Sequence, residues 1–200
     1  MFSIILAAGW PIWPLLAASI LALALIIERS MALRPEKILP ATLVGEVLNL
    51  QRQKLINPDI LKKLEQNSPL GRVLAAALRY EKANRDAMKE AVEEAGRAAT
   101  HELERFLTTL GTIASTAPLM GLFGTVIGMI EIFGAQGPTG TSPQQLAHGI
   151  SVALYNTAFG LVIAIPTLIA YRHFRAKVDS FVVEMEQRSI HFIDNLHPPR

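Results

Sequence analysis

Long apolar stretches alternate with charged ones along this chain. The stretches without any Asp, Glu, Lys or Arg are residues 1–27, 106–130 and 132–171. A bilayer core about 30 Å thick needs roughly 20 helical residues, so each stretch is long enough to cross it. The pattern predicts an all-α integral membrane protein with three transmembrane helices, at residues 10–27, 106–133 and 149–171.

Basic residues predict how the spans are oriented. Of the 19 Lys and Arg residues, 14 lie in residues 28–105 and the other five in residues 172–200. The positive-inside rule predicts that both segments are cytoplasmic. Residues 1–9 and 134–148 then lie on the outer side of the membrane, with the N-terminus outside and the C-terminus inside. The charge-free start lacks the basic flank of a cleaved signal peptide, which predicts a retained anchor.

The amino-acid composition agrees with a membrane protein. Half of the residues are hydrophobic, and the formal net charge is only +2. The sidedness of the basic residues therefore indicates membrane orientation, and no nucleic-acid partner is predicted. The absence of cysteine excludes disulfides and thiolate metal sites.

The cytoplasmic segments carry several helix signals. Residues 41–55 are amphipathic, and Asn57-Pro58-Asp59 and Ser68-Pro69 are typical helix starts. From about Arg85, apolar residues recur at three- and four-residue steps without a breaker, which predicts one helix running into the second span. Residues 172–196 are expected to continue the helix of the third span. The protein is therefore expected to have long cytoplasmic helical extensions.

The second span contains small and hydroxyl-bearing residues that decide helix packing in lipid. Its glycines form one strip with a threonine beside it: Gly121, Gly124, Gly128 and Thr125. Another face carries Thr109, Thr112 and Thr116. Pro118 releases the carbonyl of Ala114 from helix hydrogen bonding and is expected to bend the helix.

The third span repeats this theme on one of its sides. That side carries Ala153, Asn156, Thr157, Gly160, Ala164 and Thr167. Pro166 lies about one turn before the cytoplasmic end. Each hydroxyl has two interpretations, either a bond to its own helix or to a neighbouring helix, or a place on a pore-lining or partner-facing surface. The two polar faces together favour the second interpretation.

Ionisable groups are scarce in the spans. A proton pathway usually needs a carboxylate near the bilayer centre, but the only one between Arg105 and Asp179 is Glu131, near the outer end of the second span. Glu131 and His148 are either interfacial residues or part of an outer pore mouth. No metal-ligand spacing, phosphate-binding loop or nucleophile motif occurs, so no catalytic residue, metal, cofactor or enzymatic activity is predicted.

Two stretches resemble motifs of a known family. APLMGLFGTVIGMIEIF, at residues 117–133, and GISVALYNTAFGLVIAIPTLIAY, at residues 149–171, resemble the second- and third-span motifs of the MotA/TolQ/ExbB proton channel family. With the three-span layout, the resemblance covers nearly the whole chain. MotA-type proteins have four spans, so three spans favour the ExbB/TolQ branch.

The resemblance implies a homopentameric ring whose second and third spans line a central pore. The pore holds two copies of an ExbD- or TolR-like single-span partner, which supplies the proton-carrying aspartate. Protons are then the transported ion, and the pore threonines correspond to Thr125 and Thr157, with the third-span proline at Pro166. Many members read GIAEAL where this chain reads GISVAL, so Val152 replaces a glutamate. This departure places more weight on the partner and on Asn156 and Thr157, while Thr112 and Thr116 extend the predicted pathway.

The function implied is that of a channel-forming subunit that couples the proton motive force to work across the periplasm. An ExbB-like protein would energise TonB-dependent outer-membrane transport through a TonB-like partner. The alternatives are a TolQ-like role in outer-membrane integrity and cell division, through a TolA-like partner, and a passive membrane scaffold. The basic cytoplasmic flanks also predict contact with anionic lipid.

Overall fold

The structure, a computed structural model, describes residues 9–134 and 143–197. The helices within these residues are α1 Ile12–Ala32, α2 Pro35–Ile38, α3 Leu43–Arg52, α4 Pro58–Asn67, α5 Pro69–Arg79, α6 Arg85–Leu103, α7 Leu107–Gly134 and α8 Pro143–Leu196. No β-strand occurs in this part of the chain, so the all-α prediction is confirmed for it. Most of the predicted outer segments, residues 1–9 and 134–148, and the last three residues of the tail lie outside the described residues.

One compact unit consists of residues 1–28 and 106–173. Within the described part of the chain, three stretches contain a helix long and apolar enough to cross a membrane, as predicted. They are Ile12–Ala32, Arg85–Gly134, which includes the turn between α6 and α7, and Leu146–Leu196. Side chains from α1, α7 and α8 form a shared core, namely Leu15, Ala22, Ile113, Ala117, Ile163 and Ala164. Outward-facing residues such as Ile20, Val162 and Ile169 are 65–72% exposed. Apolar exposure of this extent is typical of helices that face lipid or neighbouring subunits.

A second unit consists of residues 29–105 and 174–200. Its central element is α5, whose Leu70, Val73 and Leu74 are at most 2% exposed and which packs against α3, α4 and α6. Asn57 accepts a hydrogen bond from the amide of Ile60, and Ser68 accepts one from the amide of Gly71. These caps satisfy amides that lack a partner in the first helical turn. The two helix starts predicted from Asn57 and Ser68 are confirmed.

The prediction of an unbroken helix from Arg85 into the second span is wrong. Helix α6 ends at Leu103, and α7 begins at Leu107 after a turn in which Phe106 has φ +64°. A left-handed residue interrupts the regular helical hydrogen bonding. Arg29, only 5% exposed, donates from Nη1 to the carbonyl of Leu103 at 3.3 Å. It thereby satisfies one of the carbonyls that a helix leaves unpaired at its C-terminal end.

The predicted continuation of the third-span helix into the tail is confirmed, since α8 runs without interruption to Leu196. In the second unit, Arg188 of α8 donates to the carbonyls of Leu39 and Pro40 at 3.4 and 3.1 Å. His197 lies 2.9 Å from the carbonyl oxygen of Glu81. The tail is therefore a packed part of the second unit.

Replacing Lys54 with glycine is expected to stabilise the end of α3. Lys54 has φ +56°, and the amides of Lys54 and Leu55 bond back to the carbonyls of Gln51 and Leu50. This is the Schellman arrangement, which favours glycine by about 1 kcal/mol because glycine has no Cβ to strain a left-handed conformation. Hydrogen exchange of the last amides of α3 should slow about fivefold, as about 1.4 kcal/mol corresponds to tenfold.

The matched control for this experiment is Lys62→Gly. Lys62 is exposed within α4, where its backbone is helical. Glycine there should weaken α4 by about 1 kcal/mol. Unchanged or faster exchange at the end of α3 in Lys54→Gly would contradict the assignment of strain to Lys54.

Candidate functional site

Helices α7 and α8 approach each other closely where two glycines meet. A Cβ atom built on Gly121 would lie 2.6 Å from the carbonyl oxygen of Asn156, and one built on Gly160 would lie 2.6 Å from the carbonyl oxygen of Ala117. Both distances are far below van der Waals contact. Only glycine at both positions permits this approach, and in lipid such close packing is a principal source of helix association.

The same strip of glycines makes room for polar and small side chains of α8. A Cβ atom built on Gly124 would lie 2.8 Å from both Cβ and Cγ of Asn156, and one on Gly128 would lie 3.0 Å from Cβ of Ala153. Asn156 is only 1% exposed. Because Gly124 has no side chain, the side chain of Asn156 can occupy the space beside it.

Thr125 and Thr157 face each other across this junction. Their Oγ1 atoms lie 2.6 Å apart, and Oγ1 of Thr125 also lies 3.1 Å from the carbonyl oxygen of Ala153 and 3.3 Å from that of Gly121. Both threonines are half-buried. The two residues that the sequence singles out in separate spans therefore form one hydroxyl pair.

Either threonine of the pair can donate the hydrogen bond between them. If Thr157 donates to Thr125, Thr125 donates in turn to the carbonyl of Ala153 or Gly121, and Thr157 presents a lone pair. If Thr125 donates to Thr157 instead, the hydroxyl proton of Thr157 is available to another acceptor. Since each hydroxyl has one donor and two lone pairs, the two directions exchange by rotating O–H bonds. The pair can therefore bind either a hydrogen-bond donor or an acceptor.

Thr112 and Thr116 belong to a different surface. Both are exposed and donate within their own helix, Thr112 to the carbonyl of Thr108 at 2.9 Å and Thr116 to the carbonyl of Thr112 at 2.8 Å. Thr116 lies nine residues before Thr125, which is roughly 13 Å along a helix. The structure therefore does not bring these two threonines together with the hydroxyl pair.

The candidates for an outer mouth are also separate from the pair. Glu131 is exposed near the end of α7, six residues or about 9 Å beyond Thr125, and His148 is exposed near the start of α8. Pro118 and Pro166 both lie inside their helices, which continue through them. Val152, at the position of the family glutamate, is half-buried.

Sequence reasoning missed two contributors to this packing. The carbonyl of Ala153 approaches the Thr125 hydroxyl, and a backbone atom gives no signal in a sequence. Gly111 lies against the ring of Tyr171, since a Cβ atom on Gly111 would be 3.2 Å from that ring. Across the described part of the chain, no group of three or more His, Asp or Glu residues is placed to hold a metal ion.

Comparison with known proteins shows a similarity that extends beyond the second and third spans. Residues 65–187 match the family model described as the MotA/TolQ/ExbB proton channel family. A Synechocystis protein named ExbB-like 3 is 37% identical over 176 residues, covering 86% of this chain and 83% of the relative. The Tol-Pal system protein TolQ of Pseudomonas aeruginosa is 35% identical, covering 84% of this chain and 78% of the relative.

A third relative, like the Synechocystis protein, carries the ExbB name. The biopolymer transport protein exbB1 of Vibrio cholerae is 30% identical, covering 89% of this chain and 80% of the relative. The matched region includes the hydroxyl pair and the glycine strip, and the three apolar helices indicate a membrane protein. The chain therefore belongs to the MotA/TolQ/ExbB proton channel family, and its relatives include proteins named ExbB and TolQ.

Proposed function

We propose that this chain is the pore-forming subunit of an inner-membrane motor that couples proton entry to work across the periplasm. Five copies form the ring, and two copies of an ExbD- or TolR-like single-span protein occupy its pore. The N-terminus is periplasmic, and residues 28–105 and 172–200 are cytoplasmic, as the distribution of Lys and Arg supports.

The hydroxyl pair of Thr125 and Thr157 is the observation that carries this proposal. It joins the two spans that would line the pore, at an Oγ1 to Oγ1 distance of 2.6 Å. The third span and nearly all of the second lack carboxylates, the exception being Glu131. A chain of this kind can hold a carboxyl group supplied by a partner but does not itself provide a proton carrier at the pair.

In the proposed cycle the pair binds the partner's aspartate in both of its protonation states. A carboxylate accepts the proton of Thr157 when Thr125 donates to Thr157. A protonated carboxyl group donates to Thr157 when Thr125 donates to the carbonyl of Ala153. Hydrogen bonds to an ionised group contribute about 1.5–3 kcal/mol, more than neutral ones. Protonation from the outer side therefore weakens the contact and lets the partner move to the next subunit.

The energy available is sufficient for stepwise movement. One proton crossing 100 mV releases about 2.3 kcal/mol before any pH gradient is added. This is similar to the free energy of one charge-assisted hydrogen bond, so one proton can break the contact at one subunit. The partner would turn inside the ring and deliver work to the periplasm.

We assign the work to an ExbB-like system that energises TonB-dependent outer-membrane transport. Family members work with ExbD or TolR and with TonB or TolA. The TolQ-like role, in outer-membrane integrity and cell division, is the second candidate because the Pseudomonas TolQ is as similar as the ExbB relatives. A TonB-like protein that copurifies would support the first role, and a TolA-like protein would support the second.

Native mass spectrometry of the protein purified gently from its own membrane tests the assembly. We expect five copies of this chain with two copies of a small single-span protein that carries an intramembrane Asp. A monomer or dimer without such a partner would contradict the motor and favour a passive scaffold. Collapse of the proton gradient is a second test, since the motor loses function under this treatment and a scaffold does not.

A further inference from the structure

Both tryptophans of the chain lie near the outer end of the first span. Trp10 lies in the turn before α1 and Trp13 in its first helical turn, and they are 57% and 62% exposed. Tryptophan is enriched where a bilayer meets water, because its ring is large and apolar but carries a polar N–H group. Two exposed tryptophans at the end of a span therefore indicate contact with lipid headgroups.

The inner ends of the apolar stretches give a common reference level for the first two spans. Ile27 and Phe106 are the last uncharged residues before the charged cytoplasmic segment. Trp10 lies 17 residues from Ile27, and Phe123 lies 17 residues from Phe106. At about 1.5 Å per residue, each distance is roughly 25 Å. The rings of Trp10 and Phe123 are in edge contact, with centroids 6.1 Å apart, so the two spans agree on this level.

The third span has the same alignment with the second. Its apolar stretch meets the charged tail after Tyr171. Gly121 follows Phe106 by 15 residues, and Asn156 precedes Tyr171 by 15. These two residues are in contact, since a Cβ atom on Gly121 would lie 2.6 Å from the carbonyl oxygen of Asn156. Distances along all three spans can therefore be compared directly.

The hydroxyl pair lies at the level of the tryptophans. The backbone of Thr125 is roughly 28 Å from the level of Phe106, and that of Thr157 is roughly 21 Å from the level of Tyr171. Helical side chains lean toward the N-terminus of their own helix. Because α7 and α8 run in opposite directions, the two threonines lean toward each other, and their hydroxyls meet at roughly 25 Å. Trp10 lies at this same distance from the inner level.

We propose that Trp10 and Trp13 contact the headgroups of the outer leaflet, which places the hydroxyl pair of Thr125 and Thr157 at the outer lipid–water interface rather than at the bilayer centre. An apolar core about 30 Å thick ends roughly 5 Å beyond the pair. The exposed Glu131, about 9 Å further along α7, then lies outside the core, where its charge is solvated. This inference rests on the proposed function for the role of the pair.

The placement divides the path of the proton unequally. A proton from outside crosses about a sixth of the core before it reaches the pair, and about five sixths separate the pair from the cytoplasm. Most of the membrane potential therefore falls across the exit step. Protonation of the partner at the pair then follows the pH outside, whereas the potential acts mainly on proton release.

The alternative is a bilayer displaced outward, with the tryptophans near its centre. The charge-free stretch of residues 1–27 is longer than one crossing needs, so charge alone is compatible with both placements. They differ in the depth of the same two rings. Fluorescence measures this depth without a label, because the chain contains only two tryptophans.

The purified full-length protein is placed in phosphatidylcholine vesicles whose lipid carries bromine, a fluorescence quencher, either near the headgroup or near the ends of the acyl chains. In both Trp10→Phe and Trp13→Phe, we expect bromine near the headgroup to quench the remaining tryptophan at least about twofold more strongly than bromine at the chain ends, as for interfacial rings. Stronger quenching from the chain ends, or no quenching by either lipid, would overturn the inference.

Two matched variants of α8 measure the level of the hydroxyl pair from the third span. Tyr155 and Val162 are 39% and 68% exposed and lie seven residues apart, on one face of the helix. In a chain whose native tryptophans are replaced by phenylalanine, Tyr155→Trp places a ring two residues from Thr157. Val162→Trp places one roughly 13 Å from the inner level, near the centre of the core. We expect bromine near the headgroup to quench Tyr155→Trp more strongly and bromine at the chain ends to quench Val162→Trp more strongly. Equal depths or the reverse order would contradict the placement.

Native mass spectrometry of the same preparation separates this inference from the proposed function. A ring whose tryptophans are quenched from the chain ends refutes the placement and leaves the motor proposal standing. Tryptophans quenched near the headgroups in a protein that forms no ring support the lipid contact at the start of α1 and refute the motor.

Discussion

Replacing Thr157 with valine is expected to abolish proton-driven work while leaving the protein assembled. Valine has nearly the same shape as threonine but has no hydroxyl, so the 2.6 Å contact with Thr125 is lost. Thr125 retains the carbonyls of Ala153 and Gly121 as acceptors, so no buried donor is left without a partner. The loss of a hydrogen bond to a charged group, about 1.5–3 kcal/mol, corresponds to a reduction in turnover of roughly 10- to 150-fold.

The measurement is proton-gradient-dependent transport in the native host, with native mass spectrometry to verify the ring. Thr157→Ser keeps the hydroxyl and should retain most activity. Thr167→Val is the matched control, because the buried Thr167 donates only to the carbonyl of Ile163 in its own helix, at 2.6 Å, among the contacts described. Full activity in Thr157→Val, with an intact ring, would remove the hydroxyl pair from the mechanism.

Much of the fold follows from local signals in the sequence. The spans are predicted because charged residues are absent over lengths that match a bilayer, and burying a charge in lipid is costly. The starts of α4 and α5 are predicted because Asn57 and Ser68 precede prolines, and their side chains cap the helices. These features depend on neighbouring residues in the chain, so a single sequence contains the information.

The break between α6 and α7 could not be predicted in this way. Phe106 adopts a left-handed conformation that usually favours glycine, and no glycine or proline marks the position. Contacts from distant residues stabilise the turn, among them the hydrogen bond from Arg29 to the carbonyl of Leu103. Helical periodicity describes one element at a time and does not report such long-range contacts.

For the candidate site, too, the sequence predicts individual residues but not the contacts between helices. Motif resemblance singles out Thr125 and Thr157, but their direct contact depends on how α7 and α8 are aligned, which only the structure gives. The sequence also grouped Thr112 and Thr116 with them, although these hydroxyls bond within α7 and face outward. Spacing predicts which residues share a face of one helix, whereas a site between two helices needs their relative register.

Replacing Gly160 with valine is expected to separate α7 from α8, to lower the stability of the protein and to eliminate its activity. A Cβ atom at this position would lie 2.6 Å from the carbonyl oxygen of Ala117 and 3.1 Å from Cα of Gly121. Backbone atoms cannot rotate away as a flexible side chain can, so the helices themselves must move apart. Overpacking of a core typically costs 1–3 kcal/mol, and we expect about 3 kcal/mol or more here. Separation would also break the hydroxyl pair one turn away.

The thermal stability of the purified ring and the level of protein in the membrane measure this effect. Substitutions at two glycines of α7 serve as comparisons. Gly134→Val is the neutral control, because a Cβ atom there meets no described heavy atom within 4 Å outside its own helix. Gly111→Ala should be intermediate, since its nearest neighbour at 3.2 Å is the ring of Tyr171, which can shift. If Gly160→Val were as stable as Gly134→Val, the close approach of the two helices would not be what stabilises the spans. The predicted order follows from which atoms stand in the way, because backbone resists displacement more than a side chain does.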